Sequence, residues 1–328
     1  MLTVYCLAPA GLKPIERDAS APLPEEAIWL DLLEPSVEEE RLVEQRLGLD
    51  IPTREEMREI ESSSRLYEDA GALYLTATVV TKLESDLPEN AQITFILGGS
   101  RLVTNRYVDP LPFRRFISFT EKHPQSNTNA ASVLAGQLEF IVQRIADVIE
   151  RVSADMDSAS AEVFGTRKAT GTRRSRSQRD FRKLLERIGQ TGELMAKARE
   201  SLASLARLLA FVRQQGTVAL PTDVQTRLRT LSTDVVEMND HASFLATNLN
   251  FILDATLGMV NIDQNNILKI FSVVTVFLLP PSVIGAIFGM NFAHIPTTQE
   301  PWGFWGALVL MALSAITPYL YFRQRGWL

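Results

Sequence analysis

Two long apolar stretches near the carboxyl-terminal end constrain the fold of this chain most. The first covers residues 267–288 and the second residues 302–322. Each is long enough to cross the hydrocarbon core of a bilayer as a helix, which takes about 20 residues. Neither contains an Asp, Glu or Arg, and the one Lys, Lys269, lies at the start of the first. The sequence therefore predicts two membrane spans after a much longer polar part.

The basic residues beside these stretches predict the orientation of the chain. Lys269 begins the first span, and Arg323 and Arg325 follow the second, whereas the connector over 291–301 has no Lys or Arg. Segments rich in Lys and Arg stay in the cytoplasm under the positive-inside rule. We therefore expect both termini and the polar part in the cytoplasm, with the connector outside.

Charge and cysteine content restrict the partners and the compartment. Among the first 100 residues 20 are acidic and 8 are basic, a local charge of −12 in a chain of net charge −6. Such a surface repels phosphate backbones and favours cations, so no nucleic-acid partner is predicted; an ordinary solvated surface is the alternative explanation. The single cysteine, Cys6, suits a reducing compartment. No cleaved signal is predicted, since no basic segment with an apolar core begins the chain.

Residues 1–125 predict a cytoplasmic α/β domain. Ser36, followed by Glu38 and Glu39, predicts the capped start of a helix. The charged segment 52–61 predicts a second helix, and Gly98-Gly99-Ser100 suits a hairpin turn. The strand candidates are residues 2–7, 28–32, 72–82, 91–97 and 101–105. Strands mixed with helices suggest a layered α/β domain.

Beyond residue 125 the sequence predicts helices. Residues 126–220 predict a helical hairpin whose two helices, over 129–163 and 174–215, are separated by the segment from Gly165 to Gly171. The remaining predicted parts are a stalk helix continuous with the first span over 221–290, an external loop over 291–301, the second transmembrane helix over 302–322 and a basic cytoplasmic tail over 323–328.

The stalk helix is predicted from an unbroken apolar periodicity. Residues 222–279 contain no proline and only one glycine, Gly258, and their apolar residues recur at steps of three and four. At 1.5 Å per residue, a helix over 222–288 is about 100 Å long and would couple the cytoplasmic domain mechanically to the membrane. Two helices broken at the polar patch 261–266 are the alternative.

Polar and small residues share one face of the first span. Their spacing of three or four residues places them on one side of a helix. The face comprises Asn265, Leu268, Ser272, Thr275, Leu279, Ser282 and Ala286. Because two spans cannot enclose a hole, a pore would need several copies of the chain, each presenting this face to a common axis. Leu268 and Leu279 would then form rings that can dewet and close. Helix packing, which also uses small and hydroxyl residues, is the alternative explanation.

The end of the first span suits the mouth of a pore. Pro280 and Pro281 remove backbone donors in mid-span and predict a bend, and the freed carbonyls are tolerated where they face a cavity. Gly289 lets the backbone turn as the helix ends. Asn291 then places a neutral amide oxygen at the outer mouth.

The motif Gly289-Met290-Asn291 resembles the signature of the CorA family of magnesium channels, the two-transmembrane GMN superfamily. The resemblance extends to VNIDQNNILKIFSVVTVFLLPPSVIGAIFGMNF, to TPYLYFRQRGWL, and to IESSSRLYED and RLVTNRY in the first domain. It implies a funnel-shaped homopentamer, multi-pass in the bacterial inner (plasma) membrane. It also implies passive uptake of Mg²⁺, often with Co²⁺ or Ni²⁺.

The same resemblance assigns roles to residues. Asn291 would form the outer selectivity ring, with Gly289 and Met290 beside it in the filter, and the polar face falls on pore-lining positions. Amide oxygens suit Mg²⁺, which prefers oxygen ligands and gives up its water reluctantly. In the family, cytoplasmic Mg²⁺ closes the channel at acidic sites between subunits. Glu55 and Glu56 lie where such acids are expected; solvated charges are the alternative explanation.

The connector departs from the family pattern. Many CorA members follow the motif asparagine with Met-Pro-Glu-Leu, whereas this chain continues with Phe292, Ala293 and His294. His294 and Glu300 are therefore candidate mouth residues. A ring of His294 would favour softer ions, so the nearest alternative function is a Zn²⁺ transporter of the same superfamily, with or without proton coupling. An exposed loop histidine is the simpler explanation. A non-conducting membrane-anchored scaffold is the alternative from another class.

Basic residues cluster at the expected tip of the helical hairpin. They are Arg167, Lys168, Arg173, Arg174, Arg176, Arg179, Arg182 and Lys183, with one acid, Asp180, among them. The cluster predicts contact with anionic membrane lipids. The alternatives are a solvated surface and a nucleic-acid site, the latter at odds with the acidic first domain.

The sequence does not predict an enzyme. It has no GxxxxGK[ST] phosphate loop, and its three histidines are far apart, without metal-ligand spacing.

Overall fold

The computed structural model describes residues 1–8, 11–16, 23–82, 88–165, 178–214, 218–290 and 301–325. They form two compact units, Met1–Leu253 and Asp254–Leu328. The strands are β1 (Leu2–Ala8), β2 (Gly11–Glu16), β3 (Ala27–Leu33), β4 (Leu66–Asp69), β5 (Ala72–Thr81), β6 (Glu89–Gly98) and β7 (Arg101–Arg106). The helices are α1 (Val37–Leu47), α2 (Ser62–Arg65), α3 (Leu111–Lys122), α4 (Ala130–Phe164), α5 (Gln178–Gln214), α6 (Thr222–Phe288) and α7 (Gly303–Gln324).

One seven-stranded sheet organises the first unit. Its spatial order is β2-β1-β3-β7-β6-β5-β4. Neighbouring strands are antiparallel except β3 and β7, which are parallel. Every residue of β5 is buried, as expected for a strand covered on both faces.

The five strand predictions are confirmed, each within two residues of the observed ends. The sequence did not predict β2 and β4, the two edge strands. Pro14 lies within β2, where an edge position tolerates the missing backbone N–H. β4 has only four residues, too few for an alternating pattern.

Helices α1 and α4 both begin with a capping box, and the cap at Ser36 was predicted from the sequence. The Glu39 carboxylate accepts a hydrogen bond from the Ser36 N–H at 2.9 Å, and the Ser36 hydroxyl accepts one from the Glu39 N–H at 3.3 Å, which completes a capping box for α1. Asn129 caps α4 in the same way, and α4 ends at Gly165, whose φ of 71° is left-handed.

The predicted stalk helix is confirmed as one helix, α6. It passes through residues 261–266 and includes Pro280 and Pro281, so the alternative of two helices broken at the polar patch is wrong. The helix predicted over 174–215 is observed from Gln178 to Gln214. Residues 166–177 lie outside the described part of the chain.

The predicted helix over 52–61 is wrong. Only Glu56–Arg58 form a single 3₁₀ turn before α2 begins. The Pro52 carbonyl accepts a hydrogen bond from the Asn105 side chain at 2.9 Å, and Met57 is 2% exposed. These contacts hold the segment against the sheet, where a regular helix would lose them. Helix α3, which the sequence did not predict, buries Phe113 and Phe116.

A buried ion pair joins the parallel strands. Arg106 on β7 donates to Asp31 on β3 from Nη2 at 2.7 Å and from Nε at 2.9 Å, and neither side chain is more than 5% exposed. The Thr104 hydroxyl also donates to Asp31, at 2.6 Å, and the Trp29 indole donates to Thr104 at 2.9 Å. Burial acts to lower the pKa of Arg106, but the hydrogen bonds and charges of Asp31 and Asp109 outweigh it and raise that pKa.

Helix α5 covers part of one edge of β5. Strand β4 pairs only with residues Ala72 to Leu75 of β5. Further along, the Thr78 N–H donates to the Ser204 hydroxyl at 3.0 Å, and the Ser201 hydroxyl donates to the Thr78 carbonyl at 2.7 Å. The helix thus satisfies backbone groups that a neighbouring strand would otherwise pair.

We expect Asp31→Ala to lower the free energy of unfolding by about 3–5 kcal/mol, because Arg106 would remain buried without its carboxylate. The matched control is Asp109→Ala, since Asp109 pairs with the same guanidinium at 2.9 Å but is 43% exposed. Its loss should cost at most about 1 kcal/mol. Urea denaturation of the full chain in detergent measures both. Equal destabilisation by the two variants would contradict the assigned role of Asp31.

We expect Ser204→Ala to lower the free energy of unfolding by about 1–3 kcal/mol, because it leaves the buried Thr78 N–H without an acceptor. Ser243→Ala is the control, because the Ser243 hydroxyl donates within its own helix, to the Asn239 carbonyl at 2.9 Å. Hydrogen exchange read by mass spectrometry should show faster exchange around Thr78 in the first variant alone. Unchanged exchange there would show that α5 does not protect this edge.

Candidate functional site

The second unit contains the two apolar helices predicted as spans. The carboxyl-terminal part of α6 and all of α7 are long and apolar enough to cross a membrane. Their most apolar windows are only 0% and 6% buried within the chain. The core helix of a soluble protein would be buried, so these surfaces need another apolar environment.

Helix α7 packs on one face of α6. The half-buried residues of the span are Val273, Pro280, Pro281, Ile284, Gly285 and Phe288. At 3.6 residues per turn they share one side of the helix. Gly285 lies close against α7, since a Cβ there would lie 3.2 Å from the Met311 methyl carbon.

The matching face of α7 is built from small residues, a feature that the sequence interpretation missed. Gly303 and Ala307 are its buried residues. They lie eight and four residues before Met311, on the same helical face, and Ser314 and Ala315 continue that face half-buried. Small residues at steps of four allow helix backbones to approach closely. The spacing Gly303-xxx-Ala307 is the signal that could have predicted it.

The predicted polar face lies on the opposite side of α6. All seven of its residues are exposed in the single chain: Asn265, Leu268, Ser272, Thr275, Leu279, Ser282 and Ala286. Leu268 and Leu279 are 62% and 59% exposed. Packing of this face against the second span is therefore ruled out as the explanation of its composition, at least for the described part of α7.

The hydroxyls of the polar face are hydrogen-bonded to their own helix. Ser272 donates to the Leu268 carbonyl at 2.8 Å, and Thr275 donates to the Phe271 carbonyl at 2.8 Å. Ser282 donates to the Leu278 carbonyl at 2.7 Å. These bonds satisfy the hydroxyl hydrogens within the helix itself, without water.

The Gly-Met-Asn motif begins where α6 ends. The Gly289 N–H donates to the Gly285 carbonyl at 3.0 Å and to the Ala286 carbonyl at 3.2 Å. Gly289 does not adopt a left-handed conformation; a Cβ there would lie 3.3 Å from the Gly285 carbonyl oxygen. Met290 is 48% exposed. Asn291, His294 and Glu300, together with most of the predicted loop, lie outside the described residues.

The two acids predicted as regulatory ligands are exposed near the 3₁₀ turn. Glu56 accepts hydrogen bonds from the Thr53 N–H at 2.8 Å and the Thr53 hydroxyl at 2.9 Å, so its carboxylate caps its own turn. Glu55 precedes the turn. Among the described residues, no group of three or more His, Cys, Asp or Glu within one chain could hold a metal ion.

The predicted basic cluster at the hairpin tip lies largely outside the described residues. Of its members, Arg182 and Lys183 are exposed on α5. Arg182 forms an ion pair with Glu186 at 3.0 Å, one turn further along the helix.

A family model described as CorA-like Mg²⁺ transporter protein matches residues 24–324. The magnesium transport protein CorA of Pasteurella multocida is 33% identical over 328 residues, covering all of both chains. Its namesake from Escherichia coli K12 is 29% identical over the same span, again covering both chains completely.

A solved structure has the same fold. The complete structure of the CorA magnesium transporter from Methanocaldococcus jannaschii matches with a TM-score of 0.77 at 17% identity, covering 100% of this chain and 99% of that one. The predicted fold class, an α/β domain with a long helix and two carboxyl-terminal apolar helices, is confirmed. The members of the matching family are transporters, which agrees with the expectation that the chain is not an enzyme. Because the family model covers nearly the whole sequence, this chain belongs to the CorA-like Mg²⁺ transporter family.

Proposed function

We propose that this chain carries Mg²⁺ passively across the bacterial inner membrane, through a pore that five copies build around one axis. The observation that carries the proposal is the polar face of α6, which is exposed in the single chain and opposite the face that packs on α7. The names of relatives at 33% and 29% identity support Mg²⁺ as the cargo.

The pore has to be shared between copies. Two helices leave no enclosed path, and α6 presents its polar face to lipid or to a neighbour. A ring of copies would turn that face inward and leave α7 on the outside. This arrangement removes the hydroxyls of Ser272, Thr275 and Ser282 from hydrocarbon, where polar groups are costly.

Neutral oxygens suit a hydrated Mg²⁺ ion in transit. Mg²⁺ prefers oxygen ligands in octahedral geometry and keeps several waters when bound. Hydroxyl and amide oxygens can contact those waters without the strong attraction of carboxylates, so the ion can leave again. Asn291, with Gly289 and Met290, would form the selectivity filter at the outer mouth. Co²⁺ and Ni²⁺ are further candidate cargoes.

Leu268 and Leu279 are the candidates for the gate. Both are large, apolar and about 60% exposed on the polar face. Five copies of either would form an apolar ring, which can empty of water when narrow.

Cytoplasmic Mg²⁺ would regulate the channel through acids between neighbouring copies. Glu55 and Glu56 are the candidates, in a part of the chain with a local charge of −12. A bridging cation would hold two acidic surfaces together, and its loss would release their repulsion. The Glu56 carboxylate already accepts two hydrogen bonds from Thr53, so a bound cation would compete with Thr53 for its oxygens. The basic residues at the hairpin tip would contact anionic membrane lipids, which are a further proposed partner.

Two adjacent asparagines offer a matched test of the pore face. Asn265 lies on the polar face, whereas Asn266 is turned about 100° away from it, and both are exposed. We expect Asn265→Ala to lower Mg²⁺ flux about tenfold through the loss of a polar contact near 1.4 kcal/mol, and Asn266→Ala to leave it unchanged. A Mg²⁺-sensitive dye inside proteoliposomes measures both. Equal fluxes would argue against the assigned pore face.

Asn291→Ala tests the proposed filter. We expect this variant to assemble as a pentamer, judged by cross-linking, but to lose selective Mg²⁺ transport, because the ring of amide oxygens is gone. Asn266→Ala is again the control. In the unmodified protein, Zn²⁺ entry without Mg²⁺ entry, or flux that needs a pH gradient, would favour the Zn²⁺ transporter. Failure to restore growth of a Mg²⁺-uptake-deficient bacterium, with no flux of either ion, would favour the scaffold.

A further inference from the structure

An apolar groove lies between the two helices of the second unit, away from the polar face. Its walls include Val273, Phe277 and Leu278 of α6, and Pro318, Tyr319 and Phe322 of α7. Its volume is about 370 Å³ and its lining is almost wholly apolar. Ligand pockets in proteins begin at about 300 Å³, so the groove is large enough for part of a small molecule.

The groove lies toward the basic end of the two helices. Residues late in α7 face residues early in the span, while Met311 faces Gly285, so the helices are antiparallel. Lys269 precedes Val273 by one helical turn, and Arg323 directly follows Phe322. Arg325 ends the described part of α7.

The charges around this end of the groove are positive. The acids in the described part of the unit are Asp254 and Asp263, and both precede Lys269 on α6. Asp263 lies six residues before Lys269, about 9 Å further along the helix axis. An apolar groove bordered by cations matches a molecule with an apolar chain and an anionic head.

We propose that this groove holds part of one acyl chain of an anionic phospholipid, whose headgroup lies against Arg323 and Arg325. The cations at this end favour an anionic lipid over a second copy of the chain, which would bring the same cations with it. Both helices also expose long apolar surfaces, which the lipid of a bilayer would cover. Cations near a membrane surface favour anionic headgroups.

Native mass spectrometry of the full-length protein in mild detergent tests the proposal. The probes are dioleoyl phosphatidylglycerol, which is anionic, and dioleoyl phosphatidylcholine, which has the same chains and no net charge. Val273→Trp places an indole ring in the groove and narrows it. Val309→Trp is the matched control, since Val309 is 59% exposed on α7 and does not line the groove.

We expect the unmodified protein and Val309→Trp to retain phosphatidylglycerol in preference to phosphatidylcholine. Val273→Trp should retain about tenfold less of the anionic lipid, because the acyl chain has lost its space. Arg323→Gln combined with Arg325→Gln should still bind lipid but lose on the order of tenfold in preference for the anionic head.

Three results would overturn the proposal. The first is equal retention of phosphatidylglycerol by the two tryptophan variants. The second is equal retention of both lipids by the unmodified protein. The third is a change in the number of assembled copies in Val273→Trp with its lipid content unchanged, which would assign the groove to a neighbouring chain. If Val273→Trp fails to fold, the arginine double variant decides alone, and an unchanged headgroup preference would refute the proposal.

Discussion

The division of α6 into two opposite faces is the constraint on which the rest of the membrane part depends. Hydrocarbon offers no hydrogen-bond partners, so every polar group in a span needs a partner from the protein or from a water-filled path. One face of α6 meets this requirement by being apolar and packing on α7. The other carries three hydroxyls, one amide, one alanine and two leucines, and it is left uncovered by the described residues of its own chain. In a bilayer a single copy would expose this face to hydrocarbon, and the proposed association of copies would avoid that exposure.

In the first unit, buried charged groups find their partners within the sheet. Its sheet has one parallel pair, β3 and β7, and the ion pair of Asp31 with Arg106 joins those two strands. The RLVTNRY segment, which carries part of the family resemblance, contributes Thr104, Asn105 and Arg106 to this buried set. Their role is architectural, because each is engaged by a neighbour within the sheet domain. A shared segment within a family thus need not mark the transport path.

Much of the fold could be predicted because its strongest signals are local. The chain has no proline from Thr222 until Pro280, and its apolar residues recur there at steps of three and four. This local pattern is enough to predict α6 without knowledge of its surroundings. Ser36 and Asn129 mark helix starts through bonds made within four residues. The face of Ser272, Thr275 and Ser282 was likewise readable from spacing. The segment 52–61 was not, because its conformation depends on Asn105, a residue distant in sequence that holds the Pro52 carbonyl. The groove beside Val273 depends on the pairing of two helices, which periodicity along one helix does not reveal.

The hydrogen bonds made by the three hydroxyls of α6 have a consequence for the sign of the ion. A hydroxyl has one hydrogen to donate and two lone pairs with which to accept. Ser272, Thr275 and Ser282 each donate that hydrogen to a carbonyl of their own helix. What remains toward the axis of a pore is oxygen with lone pairs only, the negative end of each dipole. In the proposed pore, such a lining would attract cations and repel anions without a charged side chain on this face, because the three hydroxyl protons point to the helix and not to the axis.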